Sequence, residues 1–224
     1  MKTTVLALLL TASSALAQGT FQNLDFESAQ LIPIPGDPYG RVQFVDAFPG
    51  WTGYVDTNQA SAALYNNLFL DSAGIGIQSS TSPYAPSGVL SDEYCVSLQG
   101  GYIFTGPYTY YFGVSSIAQS GQIPIDARSI QFEAWTPNVS LTFAGHNIPL
   151  SALTSQGYYN VLLGGDISQF AGQTGELRFI SAQNFLDDIR FSGTSIPEPQ
   201  VIALFAPASV TVWGFSAHAK DRRK

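Results

Sequence analysis

Hydrophobic and polar residues alternate with a period of two over much of the middle of this chain. In residues 129–135, Ile130, Phe132 and Ala134 fall on one face, with Gln131, Glu133 and Trp135 on the other. In residues 139–143, Val139, Leu141 and Phe143 share a face. Such alternation is the signature of a strand with one face towards a core. Further short runs rich in β-branched and aromatic residues predict strands at 21–26, 41–45, 51–55, 63–70, 75–78, 94–98 and 108–114. Others follow at 148–150, 158–163, 176–180 and 185–191, about a dozen in all. Ala144-Gly145-His146-Asn147 predicts a tight hairpin turn, and residues 80–91, rich in Ser, Pro and Gly, a loop. Only residues 167–171 hint at a helical turn, and no repeat of fixed period is present. The pattern predicts a mainly β fold, an antiparallel two-sheet β-sandwich.

The two ends follow other patterns. Lys2, the apolar residues 5–10 and the small-x-small triplet Ala15-Leu16-Ala17 form a secretory signal peptide over 1–17, with Gln18 as the first mature residue. At the other end, residues 201–219 contain no Asp, Glu, Lys or Arg. As a helix that run would reach roughly 28 Å, close to the hydrocarbon thickness of a bilayer. Pro197 and Pro199 bar helix upstream of it, because proline lacks an N–H and forces the preceding residue towards extended geometry. Lys220, Arg222, Arg223 and Lys224 form a basic end that resists crossing a membrane and so stays cytoplasmic. The division is therefore a signal peptide (1–17), a β-sandwich domain (18–195) and a C-terminal segment (196–224). Ser209, Thr211, Ser216, His218, Gly214 and Pro207 make the last a poor permanent anchor. A buried C-terminal helix is the competing reading, and the lack of a one-sided apolar stripe speaks against it.

Charge narrows the function classes. The body carries 14 acidic residues against Arg41, Arg128, Arg178 and Arg190, with no Lys, for a net of −10. Such a surface repels phosphate backbones, so nucleic acid is not an expected partner. Cys95 is the sole cysteine, which rules out a disulfide within the chain, and its strand-like setting predicts a small buried side chain. Cys95 with His146 is the only thiol–imidazole couple the body offers, and no nucleophile motif surrounds that cysteine. Asp187 and Asp188, as strand neighbours, point to opposite faces and make no carboxylate pair by themselves. The body is expected to be non-enzymatic. Trp135, Trp51 and the cluster Tyr108-Thr109-Tyr110-Tyr111-Phe112 offer flat aromatic faces on which sugar rings could stack. Ordinary core and cross-strand packing is the alternative for each of them.

The C-terminal arrangement of Pro197-Glu198-Pro199, an apolar segment and a basic end resembles the PEP-CTERM sorting signal of Gram-negative bacteria. Pro207 within the segment and Asp221 within the basic end depart from the usual pattern. The resemblance implies recognition and processing near the motif by an exosortase, a membrane-embedded enzyme. The body would then be delivered to the cell surface or an exopolysaccharide matrix, in a structural or adhesive role. A second resemblance lies in the body. Asn23-Leu24-Asp25-Phe26-Glu27, the run from Asp166 to Phe179, and Phe185-Leu186-Asp187-Asp188-Ile189 resemble strands of carbohydrate-binding jelly-roll modules. That likeness implies that first and last strands lie together and that Asp25, Glu27, Asp187 and Asp188 hold a structural Ca²⁺, an ion that takes six to eight oxygen ligands. Solvated acids paired with Arg178 or Arg190 are the alternative.

Overall fold

The computed structural model describes residues 19–69, 71–85, 92–156 and 159–196. The expected signal peptide with Ala15 and Ala17, the motif Pro197-Glu198-Pro199, the segment 201–219 and the basic residues Lys220, Arg222, Arg223 and Lys224 lie outside the described residues. Among the described residues no helix is long and apolar enough to cross a membrane.

The described chain is mainly β. It begins with Arg41–Gln43 (β1), the single helical turn Phe44–Ala47 (α1), Thr52–Val55 (β2), Asn58–Gln59 (β3) and Ala62–Tyr65 (β4). Gly74–Ser79 (β5), Tyr94–Gln99 (β6), Gly101–Gly106 (β7), Thr109–Gly113 (β8) and Ser115–Gln122 (β9) follow. Next come Ser129–Ala134 (β10), Ser140–Phe143 (β11), His146–Ile148 (β12), Leu150–Gln156 (β13) and Tyr159–Asp166 (β14). The 3₁₀ turn Ser168–Phe170 precedes Thr174–Ser181 (β15) and Gln183–Ser192 (β16). Eight strands form one sheet in the order β1-β4-β5-β6-β16-β10-β14-β13, and six form a second in the order β12-β11-β15-β9-β2-β3. The hairpin β7–β8 stands apart as a two-stranded sheet. All pairings are antiparallel except β4 with β5, which is parallel and departs from the expected pattern.

The two large sheets face each other across one apolar core, a β-sandwich-like arrangement. Phe132 of β10 meets Phe179 of β15 with ring centroids 5.0 Å apart at 83°. An edge-to-face pair of this kind is worth about 0.5–1.5 kcal/mol beyond its buried area. The alternation in β10 appears directly as burial: Ile130, Phe132 and Ala134 are buried while Gln131 and Glu133 are half-buried. Between β11 and β12, Ala144 (φ 48°) and Gly145 (φ 79°) make the two-residue turn with positive φ at both positions whose twist suits a hairpin. Only Pro149 separates β12 from β13, and the chain changes sheets there, where a residue without an N–H breaks the ladder at no cost.

Several expectations need correction. Residues 21–26 are not a strand but a turned segment, with Asn23 at φ 50° and Phe26 at φ 60°. Its apolar residues Phe21, Leu24 and Phe26 are nonetheless buried, so tertiary packing rather than pairing holds them. Gln119 of β9 clamps the segment: its amide accepts from the N–H of Gln22 at 2.6 Å and donates to the Gln22 carbonyl at 2.9 Å. The expected strand at 41–45 stops at Gln43 and turns into α1. The short β3, the strand β7, most of β13 and the central strand β9 went unforeseen, the expected strand at 148–150 being only the end of β12 and the start of β13. The first and last segments do meet, through the N–H of Ile189 on the carbonyl of Leu24 at 3.0 Å.

Candidate functional site

The end of the eight-stranded sheet where β6 and β10 finish and β5 and β16 begin carries two adjoining depressions. The larger, of about 560 Å³, is lined by Tyr39, Arg41, Asn67, Phe69, Ser72 and Tyr84 among others. That volume lies within the range of about 300–1,000 Å³ typical of small-ligand sites. The smaller, of about 160 Å³, is lined by Trp135, Phe185, Gln183, Asn184 and Gln99. Leu68 and Tyr84 belong to both, so together they form one groove.

The groove's polar groups are fixed from behind. Arg41 donates through Nε to Asp37 at 2.7 Å, with Nη2 2.5 Å from the same oxygen, and its guanidinium lies 5.5 Å from the ring centre of Tyr39. The Arg41 hydrogen bond, helped by the N–H groups of Tyr39 and Arg41, holds the Asp37 carboxyl below its ordinary range. The cation is thereby largely neutralised in place. Asn67 accepts from the N–H of Leu68 at 2.9 Å, and Gln99 accepts from the N–H of Phe69 at 2.8 Å. Asn184, on the floor at the Trp135 end, donates to the Thr136 carbonyl at 2.9 Å and accepts from the Thr136 N–H at 3.1 Å. The result is a lining that mixes aromatic surface with amide, hydroxyl and guanidinium groups.

The two tryptophans fare differently. Trp135 is half-buried, stands on the face away from Ile130 and Phe132, and meets Phe185 edge-on at 5.8 Å and 88°. Cys95, Phe185, Leu68 and Trp135 make a small apolar cluster apart from the main core. Trp51 is a core residue instead. It is 5% exposed, packs against Phe26 at 5.7 Å and Phe179 at 6.2 Å, and donates its indole N–H to the carbonyl of Asn23 at 2.9 Å. With its ring enclosed, Trp51 offers no surface to a sugar, which corrects its expected role.

The four acids named for calcium do come near one another, but as arranged they do not fit the ion. Among the described residues no group of three or more His, Cys, Asp or Glu side chains is placed to hold a metal. Glu27 spends one carboxylate oxygen on the N–H groups of Glu93 and Tyr94, at 2.9 and 2.8 Å. Asp25 accepts from the N–H of Glu27 at 3.3 Å. A bulge separates the other two: Gln131 pairs with Arg190 but Glu133 with Asp187, so β16 carries an extra residue, and Asp188 takes φ 47°. Asp187 is buried and accepts from the N–H of Asp188 at 2.7 Å, while Asp188 pairs with Arg190. Burial, aided by the charges of Asp25 and Asp92 and opposed by Arg190, pushes the Asp188 carboxyl up. Burial first, then Asp187 and Glu27, pushes the thiol of fully buried Cys95 well up, away from the nucleophilic thiolate. His146 lies exposed at the start of β12, in the other sheet.

Tyr39, Arg41, Asn67 and Tyr84 were not singled out in the sequence, since they sit in or beside loops whose convergence only the fold creates. The aromatic cluster at 108–112 was, but its partner strand β7 was not. Tyr102 pairs with Phe112 and Phe104 with Tyr110 across that hairpin, so four rings share one outward face. The Gly106-Pro107 turn between two Tyr- and Phe-bearing runs was the available signal. No protein-family model, no curated protein and no solved structure matches this chain.

Proposed function

We propose that this chain is an exported surface or matrix protein, processed by an exosortase at Pro197-Glu198-Pro199, whose jelly-roll-like body is a non-catalytic module that holds neutral polysaccharide. The observation that carries the binding part is the groove joining Tyr39, Arg41 and Asn67 to Trp135 through Leu68 and Tyr84. Aromatic walls suit the C–H faces of sugar rings, and fixed donors suit their hydroxyls. The ligand is neutral on two grounds. Asp37 already offsets the one cation of the lining, and a body of net charge −10 repels anionic chains. The sorting part rests on the signal peptide and on the tripartite C-terminal pattern.

Retention of the protein on immobilised neutral polysaccharides tests the groove. Trp135→Ala and Asn67→Ala should each lower retention by about tenfold while leaving the melting temperature within a few degrees, because both sit at the groove rather than in the main core. Unaltered retention in both variants would discard the groove. Replacing Pro197, Glu198 and Pro199 by alanine should leave the chain unprocessed in the membrane fraction. A mature mass unaffected by that change would discard exosortase processing.

A further inference from the structure

The hairpin β7–β8 carries the most exposed aromatic surface of the described residues. Tyr102, Phe104, Tyr110 and Phe112 are between 44% and 68% exposed and lie on the same face. A monomeric protein seldom leaves a contiguous apolar patch of this kind without a partner. We propose that this face docks against the same face of a second copy of the chain, as a two-fold self-association surface separate from the groove.

Two observations select that partner, and a third shows the face held ready for docking. The first is ring geometry. Tyr102 stands at 81° to Tyr110 and 86° to Phe112, with centroids 5.0 and 6.1 Å away, and Phe104 is tilted 55° to Tyr110. Rings set perpendicular to one another make a ridged surface, unlike the flat platform that stacked sugars or a crystalline polysaccharide face requires. Ridges of edges and faces interdigitate with other aromatic rings, and an isologous pairing supplies them from the identical patch.

The second is charge. Residues 101–113 contain no Asp, Glu, Lys or Arg, in a body whose net charge is −10. Two such bodies repel across most of their surface, and this hairpin is where they can touch without burying a charge. The same acidity and the lack of a basic residue on the hairpin argue against an anionic lipid surface.

The third is rigidity. The reverse face is pinned to the body: the Tyr111 hydroxyl donates to Asp56 at 2.7 Å, and the Tyr102 N–H donates to the Asp71 carbonyl at 2.7 Å. Gly101 lies so close to the backbone of Ser72 and Ala73 that a side chain there would collide. An aromatic face held in place before docking loses little entropy on association.

Cross-linking of the full-length chain in the membranes of expressing cells tests the proposal. Cys95 is fully buried and its thiol is pushed up, so it stays silent to maleimides. Phe104→Cys then places the sole reactive thiol on the proposed face. Ile125→Cys, at a position 86% exposed on the loop after β9, is the control. A short bismaleimide should yield about tenfold more covalent dimer from Phe104→Cys than from Ile125→Cys. Adding Phe112→Ser should remove most of that excess, as loss of a central aromatic anchor does. Raising the salt from about 0.02 M to about 0.5 M should increase the dimer, since screening weakens repulsion between the acidic bodies. Equal cross-linking at the two positions, a dimer that falls with salt, or a dimer abolished by soluble neutral polysaccharide would each overturn the proposal.

Discussion

Trp51→Phe separates a core role from a ligand-binding role for that side chain. Two losses follow from its surroundings. Phenylalanine has no N–H, so the Asn23 carbonyl, now served at 2.9 Å by the indole, keeps only a long bond of 3.4 Å from the N–H of Phe26. A buried acceptor stranded in this way costs about 1–2 kcal/mol. The smaller ring also leaves roughly 40 Å³ beside Phe26 and Phe179, which at about 24 cal/mol per Å³ adds about 1 kcal/mol. The lost contact area brings the expected destabilisation to about 2–4 kcal/mol. For a domain of this length each kcal/mol moves the midpoint by about 2–4 °C, so the melt should fall by about 4–16 °C. Near-UV circular dichroism during heating reads it, together with polysaccharide retention at a temperature where both proteins are folded. Retention should be unchanged. A midpoint shift below about 2 °C accompanied by weakened retention would refute the reasoning and return Trp51 to the surface.

Other expectations follow from the same structure. Gln119→Ala should cost about 2–3 kcal/mol by chemical denaturation, because one amide satisfies both backbone groups of Gln22 and its removal leaves them unpaired. Gly53→Ala should lower the midpoint further than a surface substitution does, since a Cβ there runs into the ring of Phe44 and the side chain of Ile75. Asp188 has a pH signature. Burial raises its carboxyl above the ordinary value of 3.8, so the folded state holds the proton more tightly, and stability falls as pH rises from that value through the raised one. Asp188→Asn should therefore melt higher than the parent at pH 7 and alongside it at pH 3, read by thermal melts across that range. The partly exposed Arg190 pair that it gives up is worth about 0–1 kcal/mol. Millimolar calcium should leave both melts unmoved, and a calcium-dependent rise in the parent alone would restore the ion site.

What could be read from the chain tracks how locally each element is determined. β5, β6 and β10 follow their β-branched and alternating residues closely, because burial on a pleated surface needs nothing beyond the right side chains in order. β9 is different. Its residues Ser115, Ser116 and Gln119 look like loop, yet they lie buried in the middle of the six-stranded sheet. Each is satisfied from afar: the Ser115 hydroxyl donates to the Gln99 carbonyl at 2.6 Å, and Ser116 receives Arg178 at 3.1 Å. Distant partners leave no trace in the local pattern. The turn at 21–26 was missed for the converse reason, since apolar residues that read as a strand are anchored by the core while Asn23 and Phe26 take left-handed conformations. In the candidate site, Trp135 was visible as a large aromatic on the polar face of an alternating strand. Arg41 and Asn67 were not, because nothing in the linear order shows that the loops after β4 and before β1 end beside it.

The position of β16 bears on the proposed export of this chain. This strand, Gln183–Ser192, is the last of the described fold, and it lies between β6 and β10 in the middle of the eight-stranded sheet. Until it emerges, the two halves of that sheet have no common member, and the pairings still to be made span long separations in sequence. On the proposed export route, a nascent chain threading through a narrow secretory channel stays pliable until its final keystone has passed, and snaps shut only on the far side. The Pro197-Glu198-Pro199 stretch starts a few residues later, so the proposed scission there would leave every strand of the described fold in place.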